Sequence, residues 1–231
     1  MVGRSKAERH VDDAPPGGPA GASAYTATVS LRLAHRVAAT HAEGPGLRAA
    51  VWVRGCTLRC PGCCNPELFE PNGDAEVTEA SELDAWLDEA SRAHAIEGLS
   101  ILGGEPLEQI EGVTRLSRTA QRLGLGVILY TGHTLETWRG RAHFEALWDN
   151  VDTIVDGPFD ARQPERSAAR PRRYIGSANQ RLWHRSDRYA DEALWRAAQR
   201  IAEVQIDPRG LVSLHGEPGL SGSVKRRLVG G

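Results

Sequence analysis

The chain has 231 residues, a formal net charge of −2, 40% hydrophobic residues and 25% charged residues. That length supports one sizeable core, and the near-balanced charge sets up no strong field, so neither nucleic acid nor a membrane surface is expected as a partner. There is no run of 18 apolar residues to span a bilayer, and residues 1–23 lack the apolar core of a secretion signal, so the protein is expected in the cytoplasm.

Residues 1–24, centred on Pro15-Pro16-Gly17-Gly18-Pro19, read as a disordered tail. A folded domain is expected over residues 25–218, and a second loose tail over 219–231, which carries Lys225-Arg226-Arg227. Residues 28–33 alternate and predict a strand. Residues 49–53 are apolar and β-branched, a second strand running straight into a cysteine-rich loop. Thr78-Glu79-Ala80-Ser81-Glu82 opens a helix reaching about residue 93. Residues 98–102 predict a buried strand, 107–123 a helix, 127–130 a strand, 135–147 a helix and 151–155 a strand. Residues 202–206 and 211–214 flank Asp207-Pro208-Arg209-Gly210 and predict an antiparallel hairpin. Strands alternating with helices in units of about 25–30 residues argue for a parallel sheet with helices outside. About 180 residues of such units are too few for a full eight-stranded barrel, which leaves a partial barrel with its chemistry at the C-terminal strand ends.

All four cysteines lie within Arg54-Gly55-Cys56-Thr57-Leu58-Arg59-Cys60-Pro61-Gly62-Cys63-Cys64-Asn65. Such crowding makes poor disulfides and good metal ligands. Cys56, Cys60 and Cys63 are spaced Cys-x3-Cys-x2-Cys. Three thiolates on one loop can hold three irons of a cubane and leave the fourth iron open to a small molecule. Gly55 and Gly62 let the backbone wrap closely, and Arg54 and Arg59 set positive charge beside an anionic centre. The alternative is a structural zinc site on Cys56, Cys60, Cys63 and Cys64. Zinc favours separated Cys-x2-Cys pairs, and no second pair and no His at finger spacing is present.

Gly103-Gly104-Glu105-Pro106 follows the third strand. Its glycines allow close approach of a ligand, Glu105 offers a carboxylate to an ammonium group, and Pro106 starts a helix where its missing N–H is harmless. The same residues also make an ordinary strand-to-helix turn. Tyr130 and Thr131 end a strand on the same rim. Asp152 and Asp156 share a strand face; Asp156 is placed to touch ribose or substrate, or merely to form the turn before Gly157. Ser177, Asn179 and Gln180 form a polar loop that binds substrate or caps backbone groups. His133 and His215 read as structural or solvated, and Trp52 as packing beneath the cysteine loop.

Taken together, the cysteine loop and the Gly-Gly-Glu segment resemble the radical S-adenosylmethionine (SAM) superfamily. Arg54 to Asn65, Gly103 to Pro106 and Tyr130-Thr131-Gly132 are most similar to its activating-enzyme branch, which includes the anaerobic ribonucleotide reductase activating enzymes and related single-cluster proteins. Asp152 to Phe159 and Ile175 to Leu182 share the likeness, which covers roughly residues 28–215. The resemblance implies a partial (βα)6-type TIM barrel carrying a C-terminal β-hairpin. It implies that Cys56, Cys60 and Cys63 ligate a [4Fe-4S] cluster whose open iron chelates SAM. Gly103, Gly104 and Glu105 would line the methionine end, Gly62 and Cys64 would lie against the cofactor, and Pro106, Tyr130 and Asp156 complete the cofactor-binding set. The implied reaction is reductive cleavage of SAM to a 5′-deoxyadenosyl radical, which takes hydrogen from a substrate. A glycyl-radical enzyme activated in trans is the expected substrate, and a peptide or small metabolite the alternative. A reading from another class is a non-catalytic zinc or iron–sulfur module. An external electron donor such as flavodoxin or ferredoxin is expected. Two positions depart from the pattern. Cys64 stands where the family usually has an aromatic or His side chain and is taken as a bystander, and Leu58 stands where reductase activators often have His.

Overall fold

The computed structural model of the protein describes residues 29–74, 76–196, 201–206 and 212–216. The expected tails at 1–24 and 219–231 and the turn at 207–210 lie outside the described residues. The chain is a mixed α/β protein. Strands β1 (Ser30–Thr40), β2 (Arg48–Val53), β3 (Glu76–Glu79), β4 (Gly98–Gly103), β5 (Gly126–Tyr130), β6 (Thr153–Asp156) and β7 (Arg181–His184) form one sheet in the order β3-β1-β2-β4-β5-β6-β7. Helices α1 (Ala80–His94), α2 (Ile110–Arg122) and α3 (Ala142–Trp148) connect them, and β8 (Ala202–Ile206) pairs with β9 (Val212–Gly216) in a separate antiparallel hairpin.

The expectation of a parallel sheet holds for β2, β4, β5 and β6 and is corrected at both edges. β1 runs antiparallel to β2, β3 antiparallel to β1, and β7 antiparallel to β6. Only the residues at 41–47 separate β1 from β2, too few for the helical crossover that a parallel pair requires. The helix expected from Thr78 starts at Ala80 instead, because Thr78 is buried in β3 opposite Leu31. The helix expected over 107–123 opens with a 3-10 turn, Pro106–Gln109, before α2. The helix expected over 135–147 is split: a 3-10 turn, Leu135–Thr137, precedes α3, and Gly140 between them has φ 81°. β3 and β7, four residues each, go unread because Glu76-Val77-Thr78-Glu79 and Arg181-Leu182-Trp183-His184 carry no run of apolar residues like that of β6.

Alternation along the parallel strands sorts their side chains onto two faces. Ala49, Val51 and Val53 of β2, Leu99 and Ile101 of β4, Val127 and Leu129 of β5 and Ile154 of β6 pack into one core with Leu83 and Leu87 of α1, Val113 and Leu116 of α2 and Phe144 and Leu147 of α3. The opposite face carries Trp52, Leu102 and Tyr130, which look into a large cavity. A smaller cluster of Ile128, Val155, Ile175, Tyr189 and Trp195 covers that face at β5 and β6.

The N-terminal ends of the parallel strands are closed by one side chain. Arg48 is wholly buried, and no carboxylate faces it among the described ion pairs. Its Nε donates to Ser100 Oγ at 2.8 Å, Nη1 to Pro45 O and Tyr189 Oη at 2.8 Å each, and Nη2 to Leu99 O at 2.9 Å and Gly126 O at 3.1 Å. Five N–H donors thus meet five acceptors. Arg48, Gly98 and Gly126 are in register across β2, β4 and β5. A Cβ on Gly98 would lie 2.6 Å from the guanidinium, and one on Gly126 would lie 2.2 Å from Tyr189 Oη. Gly98 thus makes room for the guanidinium, and Gly126 for the tyrosine that accepts from it.

Candidate active site

A cavity of about 1160 Å³ opens between the sheet, the cysteine loop and the β8–β9 hairpin. Cys56, Cys60, Cys63 and Cys64 all line it, together with Gly103, Gly104, Glu105, Tyr130, Gly132 and Gln180. Residues expected at the site from two distant segments therefore meet in one chamber.

The cysteine loop is fastened on three sides. Gly55 N donates to Leu68 O at 2.9 Å and Cys56 N to Phe69 O at 3.0 Å, which ties the loop to the segment that follows it. Thr57 presents both its N–H and its hydroxyl to Glu108 Oε1, at 2.7 and 2.6 Å. Gln109 Nε2 donates to Arg32 O and Arg54 O, and its Oε1 accepts from Arg32 N at 2.8 Å, locking the ends of β1 and β2. Arg59 forms an ion pair with Glu70 and lies over the Phe69 ring at 5.6 Å. Arg59 has φ 43° and Gly62 φ 77°, the left-handed turns that fold the loop back on itself.

The two glycines after β4 have a structural reason for their lack of side chains. Gly104 N donates to Val53 O at 2.7 Å, and Glu105 N to Gly55 O at 2.8 Å. A Cβ on Gly103 would meet Val53 backbone at 2.5 Å, and one on Gly104 would meet Gly55 O at 2.3 Å. The Gly-Gly segment is thus pressed against the root of the cysteine loop. Gly104→Ala is expected to destabilise the fold by about 2 kcal/mol, the range of overpacking, and to lower iron loading in parallel. Chemical denaturation and iron analysis check this; an unchanged variant would show that the close approach is dispensable.

Glu105 is buried, and its carboxylate accepts from Leu107 N at 2.9 Å, Thr131 Oγ1 at 2.7 Å and Gly132 N at 2.9 Å. Burial pushes its carboxyl above the usual range, while these three donors pull it back. Glu105 therefore pins β5's end to β4's end in addition to lining the chamber. Gly132 leaves room for Leu58, whose Cδ1 lies 2.5 Å from where a Cβ would be.

The thiols differ in character. Burial pushes Cys56 up, against backbone N–H groups of Arg59 and Leu58 that favour its thiolate. Cys63 is pulled down to about 6, first by the Cys64 S–H and then by Asn65 N, which donates to its sulfur at 3.5 Å. Cys64 is raised in turn, because its proton is held by Cys63. Among the described residues no group of three His, Cys, Asp or Glu side chains is arranged to hold a metal ion; a cubane spreads its thiolates over separate irons. Three chamber-lining thiols on one glycine-turned loop, with backbone N–H groups aimed at sulfur, fit such a cluster.

Other expected site residues fall differently. Asp156 does not line the chamber: it is wholly buried, with Leu135 N at 2.8 Å on one oxygen and a two-pronged Arg181 on both. Its place in a strand-end motif is explained by that ion pair. Pro106 is buried at the start of its 3-10 turn, outside the chamber. Asp152 sits at the opposite strand end and accepts from Val127 N, Gln121 Nε2 and Ser186 Oγ. Ser177 Oγ accepts from Asp160 N, and Asn179 donates to Pro158 O, so both cap backbone; Gln180 caps Gly176 and Ser177 yet also borders the chamber. His133 packs on Trp138.

The sequence reading missed the far wall. His215 is buried, stacked on His35 at 5.1 Å and 5°, and 5.0 Å from Trp52, so Trp52 packs against the hairpin across the chamber. Glu43, between β1 and β2, also lines it. Burial lowers both His35 and His215, the latter to about 4. Both folded values lie below the ordinary 6.5, so the undocked state binds more protons between the two. The stack stabilises fully above about pH 6.5 and is lost as pH falls toward 4. Acidification is therefore expected to raise hydrogen exchange in β8 and β9 before the rest of the sheet, and His215→Phe, which stacks without titrating, is expected to weaken that dependence. Uniform exchange across both sheets would contradict it.

Comparisons with known proteins agree with this chamber. The 4Fe-4S single cluster domain family matches residues 42–183. The chain is 29% identical over 149 residues to the anaerobic ribonucleoside-triphosphate reductase-activating protein of Escherichia coli (strain K12), covering 62% of this chain and 91% of the relative. It is 31% identical over 152 residues to the protein of the same name from Enterobacteria phage T4, covering 63% and 88%. It is 31% identical over 119 residues to the pyruvate formate-lyase-activating enzyme of Staphylococcus aureus (strain USA300), covering 49% and 47%. The cysteine loop, the Gly-Gly-Glu segment and the Tyr130 rim all fall inside the matched span, and the chain belongs to the 4Fe-4S single cluster domain family, within the activating-enzyme branch of radical SAM enzymes, whose cofactors are a [4Fe-4S] cluster and SAM.

Proposed function

We propose that this protein is a radical SAM activase that installs a glycyl radical on a partner enzyme, and that its large sheet and hairpin act as a partial barrel around the reaction. The observation that carries the reading is the direct backbone joint between the cysteine loop and Gly104-Glu105, Glu105 N to Gly55 O at 2.8 Å, inside one chamber. Relatives of two kinds bear the names of activating proteins for a ribonucleotide reductase and a formate-lyase, which supports a protein substrate.

When bound, the cluster supplies one electron to SAM, giving methionine and a 5′-deoxyadenosyl radical. Cys56, Cys60 and Cys63 would hold it. Gly103 and Gly104 offer the methionine end a wall without side chains. Glu105, already held by three donors, would present its carboxylate edge to the amino group without reorganising. Tyr130 and Gln180 border the space for the nucleoside and substrate. Cys64 is assigned no ligand role; its S–H acts on Cys63. Among the described residues no helix is long and apolar enough to cross a membrane, and we place the reaction in the cytoplasm with an external one-electron donor such as flavodoxin or ferredoxin.

The test is anaerobic reconstitution with iron and sulfide, reduction with dithionite, addition of SAM, and quantification of 5′-deoxyadenosine. Formation above a Cys56→Ala control supports the reading. About four irons per chain without product would reject SAM cleavage under chemical reduction, and one zinc per chain would turn the assignment to a structural module.

A further inference from the structure

The outer rim of the chamber carries a charge that neither the cluster nor SAM uses. Residues 159–175 hold five arginines, Arg162, Arg166, Arg170, Arg172 and Arg173, against Asp160 and Glu165, a net +3 in a chain of net −2. Both acids are matched, Asp160 by Arg162 and Glu165 by Arg172. Arg166, Arg170 and Arg173 form no ion pair among the described residues, and Arg166 and Arg170 are exposed. The neighbouring Glu192 is matched in turn by Arg196, whose Nη1 donates to Arg170 O at 2.7 Å.

The arginines stand on a fixed frame. Ala178 N donates to Gln163 O at 2.7 Å and Glu165 N to Gly176 O at 3.2 Å, which closes the segment between them into an Ω-type loop. Inside it the buried Glu165 carboxylate accepts from Arg172 N, Nε and Nη2 at 2.7, 2.9 and 2.6 Å, and Arg172 Nη1 donates to Gln180 O at 2.9 Å. The root of the loop presses on the cysteines. A Cβ on Gly62, between the second and third cysteines of the motif, would lie 3.0 Å from the Ala161 Cβ and 3.8 Å from Phe159 Cε1. At the other end Tyr174, Ile175 and Gly176 line the chamber. The loop therefore has an inner side on the chamber and an outer side of exposed arginines beside the cysteine loop.

Composition separates two kinds of visitor. Among the described residues no exposed large apolar side chain lies in 159–175, whereas Val204, Ile206 and Val212 on the hairpin wall of the chamber are 45%, 69% and 50% exposed. Lasting interfaces are anchored by apolar and aromatic groups, which the hairpin side offers to a polypeptide under modification. A charged surface without such anchors suits a brief encounter steered by charge, the kind that electron carriers make.

We propose that the arginine loop at 162–173 is the docking surface for an acidic one-electron carrier protein, which reduces the cluster across the cysteine loop at Gly62. The inference rests on reading Cys56, Cys60 and Cys63 as ligands of a reducible cluster. One electron leaves the carrier's reduced cofactor and enters the cluster; no atom or proton is exchanged. The loop raises the encounter rate and sets the carrier's orientation, and it takes no part in SAM cleavage.

The experiment uses the full-length reconstituted protein and, as probe, a flavodoxin reduced to its hydroquinone, with bleaching of the cluster followed by stopped-flow absorbance. The wild-type rate constant is expected to fall as ionic strength rises. The double variant Arg166→Glu, Arg170→Glu is expected to lower it at least about tenfold at low salt, the lower end of electrostatic steering. Arg166→Lys with Arg170→Lys, which keeps the charge, is expected to stay near the wild-type rate. Both double variants should carry the wild-type iron load and bleach fully with excess dithionite. A wild-type rate insensitive to salt, an unchanged rate after charge reversal, a Lys variant as slow as the Glu variant, or loss of iron on charge reversal would each overturn the surface. Bleaching needs no SAM, so a protein that flavodoxin reduces by this route yet that makes no 5′-deoxyadenosine would remove the activase reading and leave the docking surface standing.

Discussion

Cys60→Ala is expected to leave a folded protein that cannot cleave SAM. Cys60 is half-buried on a loop, outside both hydrophobic clusters, so its loss opens no core cavity. The loop keeps its fastening through Gly55, Cys56 and Thr57 backbone groups. What is lost is one of three thiolates, and activity should fall more than a hundredfold, beyond the 10–100-fold carried by outer-shell partners of a metal site. Iron content per chain, thermal midpoint and 5′-deoxyadenosine are the readouts. Cys64→Ala is the matched control and is expected to retain the full iron load. A Cys60→Ala variant with unimpaired turnover would show that the loop is not the cluster site. A Cys64→Ala variant without iron would make Cys64 a ligand.

Arg48→Ala is expected to cost at least about 3 kcal/mol. Five acceptors, on β4, β5, the link at Pro45 and Tyr189, lose their donor together, and each buried acceptor left unpaired is worth about 1–3 kcal/mol before water relieves it. For a chain of this size that shifts the thermal midpoint by roughly 6–12 °C. Arg48→Lys is expected to recover little, since an ammonium has three donors on a point and not five on a planar fork. Denaturation curves of both variants check this. Near-wild-type stability of Arg48→Lys would mean that charge, not the fork, closes the strand ends.

Much of this architecture was legible beforehand, for identifiable reasons. The parallel strands announce themselves as short apolar runs because both of their faces are covered, and the cysteine loop because its residue types and spacing have few other uses. β3 and β7 escaped because their four residues mix polar and apolar side chains, whereas β6, equally short, continues an apolar run from Val151. The direction of β1 escaped because it depends on the length of the link at 41–47, not on the composition of the strand. Gly98 reads as a strand beginning; it also makes room for the Arg48 guanidinium, and nothing local in the sequence says which side chain will lie across it. Asp156 was legible as a strand-end acid but not as the partner of Arg181, a residue 25 positions later. Glu43 and the His35–His215 stack were invisible because they acquire meaning only when the hairpin closes the chamber.

That hairpin has a consequence for the order in which the protein is completed. Glu203 holds Thr40 Oγ1 at 2.6 Å and His41 N at 2.8 Å, and Gln205 Nε2 donates to Ala39 O at 3.1 Å, so the wall docks on a strand made far earlier. Its first residue to line the chamber, Val204, comes about 140 residues after Cys64. At synthesis rates of about 5–20 residues per second, the cysteines are out of reach of their wall for roughly 7–28 seconds. During that interval the nascent chain presents its thiols on an open shelf, and a cluster delivered then meets no barrier that the finished protein would impose.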